Sequence, residues 1–363
     1  MPRKDRTAGA ASAAKTKGNT GMEIISKIAS FLLAAFVTLT SFPMKTVSER
    51  AADFRVTAYI VGSGLADASR IDSSHFADVT DVILISSAFF NTKGEITYAE
   101  NFDTIVSNLK NAIGENPVNV YLNIIGPGAT ISTSDWNEQM DSQGKQHDIA
   151  FKSGKLEQSI KDALDAYGFD GIFFDYEYPL LKEHWKVFDE FIVSLDKFLG
   201  DDYKIGCAIS SGLTKQSRKA IRCLDMVEAM AYDLWEDDGT HASEKAMRSV
   251  ARQLILKGYK KEQIDIGIPF YARPTNHDAY WYGYNGWYDK LDEKGFAYDE
   301  GTGLTFSFNN YDTVYNKTQW AIERGLGGVM IWHYACDVPA SNELSLFNAV
   351  AAAKNDLMSD PVC

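Results

Sequence analysis

The sequence predicts an α/β fold in which eight parallel strands, each followed by a helical segment, close into a (β/α)8 barrel. Two observations carry this. Short, almost uninterrupted apolar runs alternate with segments of helical period, the pattern of a parallel sheet buried on both faces. Eight such runs lie between residues 53 and 355, the number that closure requires. A doubly wound open sheet is the structural alternative, but no GxGxxG follows the first run and no GxxxxGK[ST] is present, so nucleotide binding has no motif to rest on.

The strands are expected at RVTAYIV (55–61), VILISSAF (82–89), VNVYLNI (118–124), FDGIFFDYE (169–177), YKIGCAI (203–209), MVEAMAY (226–232), IDIGIPF (264–270) and GVMIWHY (328–334). The clearest helical segment is LLKEHWKVFDEFIVSLDKFLG, where Trp185, Phe188, Ile192, Leu195 and Leu199 recur three or four apart and Gly200 follows as a stop. Others are expected near 99–113, 148–166, 242–257, 311–324 and 341–354. The segment between the seventh and eighth strands is too short for a separate insertion domain. It contains YWYGYNGWY (280–288), whose Trp281 and Trp287 suit either flat faces for a ligand or a satellite cluster packed on the barrel.

The N-terminus reads differently. Residues 1–21 are small, polar and basic, as in a disordered tail. Ile28 to Phe42, IASFLLAAFVTLTSF, is an uncharged apolar run behind Lys27, with the proportions of a signal-peptide core. No clean A-x-A follows it, which leaves an uncleaved anchor, and so N-terminal membrane association, open; Met22 offers an alternative start. We therefore expect residues 1–52 to be tail plus signal peptide or anchor, residues 53–357 to be the barrel, and the protein to be secreted or held at the cell surface.

Composition narrows the partners. The chain has 363 residues, 45% of them hydrophobic, enough to bury a sizeable core. A formal charge of -13 repels phosphate backbones, so nucleic acid is not expected. Cys207, Cys223, Cys336 and Cys363 show no zinc-like spacing; a single disulfide stays open.

The fourth strand ends in acids. Side chains alternate along a strand, so Gly171, Phe173, Asp175 and Glu177 share one face, while Asp170, Ile172 and Phe174 share the other. In a barrel, function collects at the C-terminal strand ends. Two carboxylates two residues apart raise each other's proton affinity, as a general acid requires. The same pair alone also fits solvated strand-end acids. Asp170, on the opposite face, is expected to tie the strand to adjacent backbone.

DGIFFDYEYP resembles the DGxDxDxE signature of glycoside hydrolase family 18, the chitinase family. MAYD (230–233) is similar to that family's sixth-strand M-x-Y-D, IGIPFYAR (266–273) to its seventh-strand G-x-P-x-Y, and GGVMIW (327–332) to its eighth-strand ending. Four matches in order are specific. The resemblance implies a TIM barrel and retaining, substrate-assisted hydrolysis. Glu177 would protonate the glycosidic oxygen while the substrate's own 2-acetamido carbonyl attacks the anomeric carbon. Asp175 would hold the acetamido N–H, Tyr232 would donate to its oxygen, and Asp233 would hydrogen-bond nearby. Trp332 would floor the site beside Met230, with Tyr59 and Tyr271 along the cleft. Neither metal nor organic cofactor is implied.

The sequence departs from the family at two points. Phe173 stands where the family carries a third acid, which should alter the proton cycle of Asp175. NIIGPG (123–128) replaces the family's SxGG turn. The expected substrate is an N-acetylglucosamine-containing polysaccharide or oligosaccharide, cut endo at β-1,4 links as in chitin. N-glycans and peptidoglycan remain alternatives, as does a silent glycan-binding barrel without catalysis.

Overall fold

The computed structural model describes residues 45–177 and 180–359. The predicted tail, apolar segment and alternative start, together with Tyr178, Pro179 and Cys363, lie outside the described residues. The chain divides into two units at Thr46/Val47, and the fold below is that of the second. No helix among the described residues is long and apolar enough to cross a membrane.

Eight parallel strands form the barrel: β1 (Arg55–Val61), β2 (Asp81–Phe90), β4 (Asn119–Ile125), β5 (Gly171–Asp175), β6 (Lys204–Ile209), β7 (Met226–Ala229), β8 (Ile264–Pro269) and β13 (Gly328–Trp332). They run in the order β1-β13-β8-β7-β6-β5-β4-β2, and β2 pairs back onto β1 to close the cylinder. The expected strands are all present. The fourth, sixth and eighth end earlier than expected: β5 stops at Asp175, β7 at Ala229 and β13 at Trp332. Glu177 and Tyr232 thereby lie beyond the ladder and line the mouth, while Trp332 stays in register with Pro269. A short strand, β3 (Ile96–Tyr98), adds antiparallel to β2.

Alternation divides the core in two. Outward residues such as Val56, Leu84, Ile172 and Ile266 pack beneath the helices in the larger cluster. Inward residues Tyr59, Ile83, Tyr121, Phe173, Met226 and Met330 fill the cylinder itself, so the barrel is packed rather than a pore. The lower interior is polar, which the apolar reading of the strands had not anticipated. Arg55 is paired with fully buried Asp265 at 2.6 Å, and Glu228 is fully buried nearby. Asp170 accepts from Val120 N at 2.7 Å and ties β5 to β4, as its outward position predicts.

Helices Lys182–Leu199 and Tyr311–Arg324 follow the sequence closely. The second starts at Asn310, whose side chain accepts from Thr313 N, and stops at Gly325 with φ +71°. The segment expected at 148–166 is instead two helices, Trp136–Phe151 and Leu156–Tyr167. The first was hidden because its buried face is made of Ser142, Gly144, His147, Ala150 and Phe151, which give little apolar period. The last helix lies at Leu346–Ser359 rather than 341–354, because both carboxylate oxygens of Asp337 accept from its first amides, Leu346 and Phe347. Val47–Ala52 is a helix belonging to the folded body, not to the tail: Ala51 is buried, Ser48 Oγ donates to Met358 O, and Arg50 Nε donates to Ile322 O.

The insert after the seventh strand carries a four-stranded antiparallel sheet, ordered β10 (Tyr282–Gly283), β9 (Tyr271–Pro274), β12 (Leu304–Ser307) and β11 (Phe296–Asp299). Its strands of two to four residues are too short to announce themselves by alternation. Among the described cysteines, Cys207, Cys223 and Cys336 are free.

Candidate active site

A cavity of about 210 Å³ opens at the C-terminal ends of the strands. All eight residues singled out from the sequence line it: Tyr59, Asp175, Glu177, Met230, Tyr232, Asp233, Tyr271 and Trp332. They come from five different strand ends. Ala208, Arg273 and Trp281 complete the wall.

Asp175 is the last residue of β5, and Glu177 follows two residues beyond. One oxygen of Asp175, Oδ1, is buried and meets no donor. Burial first, then the charge of Glu177 and a hydrogen bond to it, lifts the Asp175 carboxyl well above the ordinary carboxylate range. Beneath Asp175 the inward position is taken by Phe173, fully buried and 5.4 Å from the ring of Tyr121. Asn123, alongside Phe173 in the β4–β5 register, is fully buried with neither amide atom hydrogen-bonded.

The opposite wall is built on Asp233. Its backbone adopts φ +54°, a left-handed turn that Asp tolerates better than most residues. Its Oδ1 accepts from Tyr271 Oη and Arg273 Nε, each at 2.8 Å, and its Oδ2 accepts from Arg273 Nη2 at 2.8 Å. His241 Nε2 lies 3.2 Å from Oδ1. Burial works to raise this carboxyl, but the bonds from His241, Arg273 and Tyr271 prevail and hold it well below the ordinary range. The two acidic walls therefore differ in kind: the Asp175 carboxyl is pushed up by burial and by its acidic neighbour, while Asp233 is fixed as an anion.

Aromatic rings complete the site. Tyr59 meets Trp332 at 5.4 Å, and Tyr232 meets Tyr271 edge-on at 6.0 Å. The insert's two tryptophans divide the alternatives left open by the sequence. Trp281 is about half exposed, lines the cavity and stands edge-on to Tyr271 at 5.9 Å. Trp287 instead stacks on Tyr282 at 5.2 Å and on Phe306, as part of a satellite cluster. Arg273 and His241 were missed by sequence reasoning. Arg273 had a signal, since it shares strand parity with Tyr271 two residues earlier. His241 had none, because a loop returns it to the site.

The model of Glycosyl hydrolases family 18 matches residues 66–337, well over half of the chain. The chain belongs to this family. Endochitinase 1 of Metarhizium anisopliae is 23% identical over 267 residues, covering 59% of this chain and 62% of that protein. The chain thus spans about three fifths of this curated relative. Among solved structures, the family 18 chitinase ChiB from the chitin utilization locus of Flavobacterium johnsoniae superposes with a TM-score of 0.64 at 17% identity, covering 84% of this chain and 94% of that one. The chitinase-like agglutinin of Robinia pseudoacacia superposes with a TM-score of 0.63 at 18% identity, covering 82% and 99%. Both establish the barrel and nothing finer.

Proposed function

We propose that this family 18 protein is an exported, endo-acting glycosidase that hydrolyses β-1,4-linked N-acetylglucosamine glycans such as chitin or its oligosaccharides with retention of configuration. The observation that carries the reading is that Asp175, Glu177 and Tyr232 line one cavity with Trp332, and that the remaining carboxylate there, Asp233, is already committed to Tyr271 and Arg273. A retaining mechanism needs a nucleophile as well as an acid. Asp233 is held by Tyr271 and Arg273, and Asp175 is the residue that the family motif pairs with the acetamido group, so this reading gives the nucleophile's role to the substrate's own acetamido oxygen.

In this scheme the acetamido N–H donates to Asp175, which favours its carboxylate form, and Glu177 carries the proton to be transferred. Glu177 gives that proton to the glycosidic oxygen as the acetamido carbonyl closes on the anomeric carbon. The oxazolinium cation forms beside the Asp175 anion and takes a hydrogen bond from Tyr232 at its oxygen, a preorganised electrostatic stabilisation. Water then opens it with Glu177 as base. The test is cleavage of labelled chitooligosaccharides, N-glycans and peptidoglycan by the purified chain. Cleavage of chitooligosaccharides supports the reading; cleavage only of one of the other two corrects the substrate; tight binding without cleavage of any assigns the chain to the glycan-binding alternative.

A further inference from the structure

The helix Trp136–Phe151 has no part in the scheme above, yet its composition calls for an explanation. A glycine inside a helix costs about 1 kcal/mol relative to alanine, and Gly144 sits at the middle of this one. A methyl group there would lie 2.6 Å from Cδ2 and 2.9 Å from Cγ of His184. The imidazole of His184, carried by the neighbouring helix Lys182–Leu199, therefore packs directly on the helix backbone. Asp141 and Asp148, three residues before and four after Gly144, share its helical face. Their carboxylates take the two ring nitrogens, Nδ1 to Asp148 at 2.9 Å and Nε2 to Asp141 at 3.1 Å. His184 is almost wholly buried between them.

This clamp fixes the helix against Lys182–Leu199, the helix that follows the segment carrying the acids. Past Asp175, the last residue of β5 in register with β6, the chain is no longer held by the sheet ladder. Two neighbours on the clamped helix hold it instead. Gln143 Nε2 donates to the backbone carbonyl of Glu177 at 3.2 Å. The ring of His147 stacks on Tyr176, the residue between the two acids, at 5.4 Å and 29°, while its Nε2 donates to Pro127 O at 3.0 Å. Tyr176 is pinned from its other side by Phe188 at 4.3 Å.

We propose that Gln143 is a positioning residue for Glu177, held at the right height by His184 clamped between Asp141 and Asp148. Gln143 is not among the residues that line the cavity; it acts by restraining the peptide from which the Glu177 carboxyl projects. The proposal rests on the assignment of Glu177 as proton donor for its kinetic consequence, but not for its structural one.

The test uses Gln143→Glu, which keeps length and removes the donor, and Gln143→Lys, which restores a donor on a long side chain. On a chitooligosaccharide substrate Gln143→Glu is expected to lose about five-fold or more in kcat, the size of one ordinary hydrogen bond, with KM held within about two-fold. Gln143→Lys should recover part of the loss. Hydrogen exchange is read in parallel on peptides ending at Glu177, which should exchange faster in Gln143→Glu while the thermal midpoint stays unchanged. Unaltered kcat and unaltered local exchange would overturn the proposal, as would a loss shared equally by kcat, KM and whole-barrel exchange. If the parent protein hydrolyses nothing, the assignment of Glu177 fails while the exchange measurement still decides the restraint.

Discussion

The ring of Phe173 lies against the backbone of Gly206: a methyl group at position 206 would sit 2.1 Å from its Cζ. Strands β5 and β6 place the two in register, so this inward ring is accommodated by the absence of a side chain on the neighbouring strand. Gly206→Ala is expected to destabilise the protein by about 1–3 kcal/mol, the usual range for overpacking. Placed in Phe173→Leu, the same change should cost markedly less, and a denaturation double-mutant cycle measures the difference. Equal costs in the two backgrounds would mean that the ring and the glycine are not coupled.

Tyr232 is expected to act late in the reaction coordinate. If its hydroxyl meets the acetamido oxygen only as charge develops, Tyr232→Phe lowers kcat by about ten-fold or more while KM moves little. Steady-state kinetics on chitooligosaccharides separates this from a pure affinity effect, which would count against the oxazolinium scheme.

Asp233 and Arg273 give an acid-side signature. Because the folded state holds the Asp233 carboxyl below its ordinary value of 3.8, its contribution to stability is present above that pH and is lost as pH falls through the folded value. Arg273→Lys keeps the charge but loses the two-pronged contact. With Asp233 partly exposed, the expected cost is about 1 kcal/mol or less near pH 6. The folded carboxyl stays ionised until pH falls well below the ordinary carboxylate range, so thermal unfolding at pH 6 and pH 3 should show much the same gap between parent and variant, and a gap already lost at pH 3 would contradict so strongly held an anion.

Glu228 predicts the opposite slope. Burial first, then the charge of Asp265, raises its carboxyl well above its ordinary 4.5. The folded chain therefore holds a proton that the unfolded chain has released above that value. Its stabilising effect is complete below pH 4.5 and is lost as pH rises toward the folded value. Glu228→Gln removes this loss, so the variant should gain on the parent in thermal midpoint between pH 5 and pH 8 and show no gain at pH 4. A uniform shift at all three values would mean that the residue acts by packing alone.

Much of this molecule was legible in the sequence where burial on two faces left continuous apolar runs, and the strand-end residues were legible through family motifs and parity. What escaped has local physical causes. The helix Trp136–Phe151 buries a polar and glycine-containing face against His184, so no apolar period reports it. The short strands of the insert are held by neighbours rather than by their own alternation. Arg55, Asp265 and Glu228 sit in positions that a run-based reading assigns to packing, and only their mutual proximity explains them. Asn123 shows the limit of a run-based reading too: it sits in an apolar strand, and its buried amide, without a hydrogen bond beside Phe173, left no trace in the pattern.

The central claim is that one glutamate at the end of β5 moves the proton. Hydrolysis of a chitooligosaccharide by the parent and by Glu177→Gln, with thermal midpoints measured on the same samples, tests it most directly. The account predicts cleavage by the parent and a loss of at least about 100-fold in an equally stable variant. Equal rates in the two proteins would contradict it.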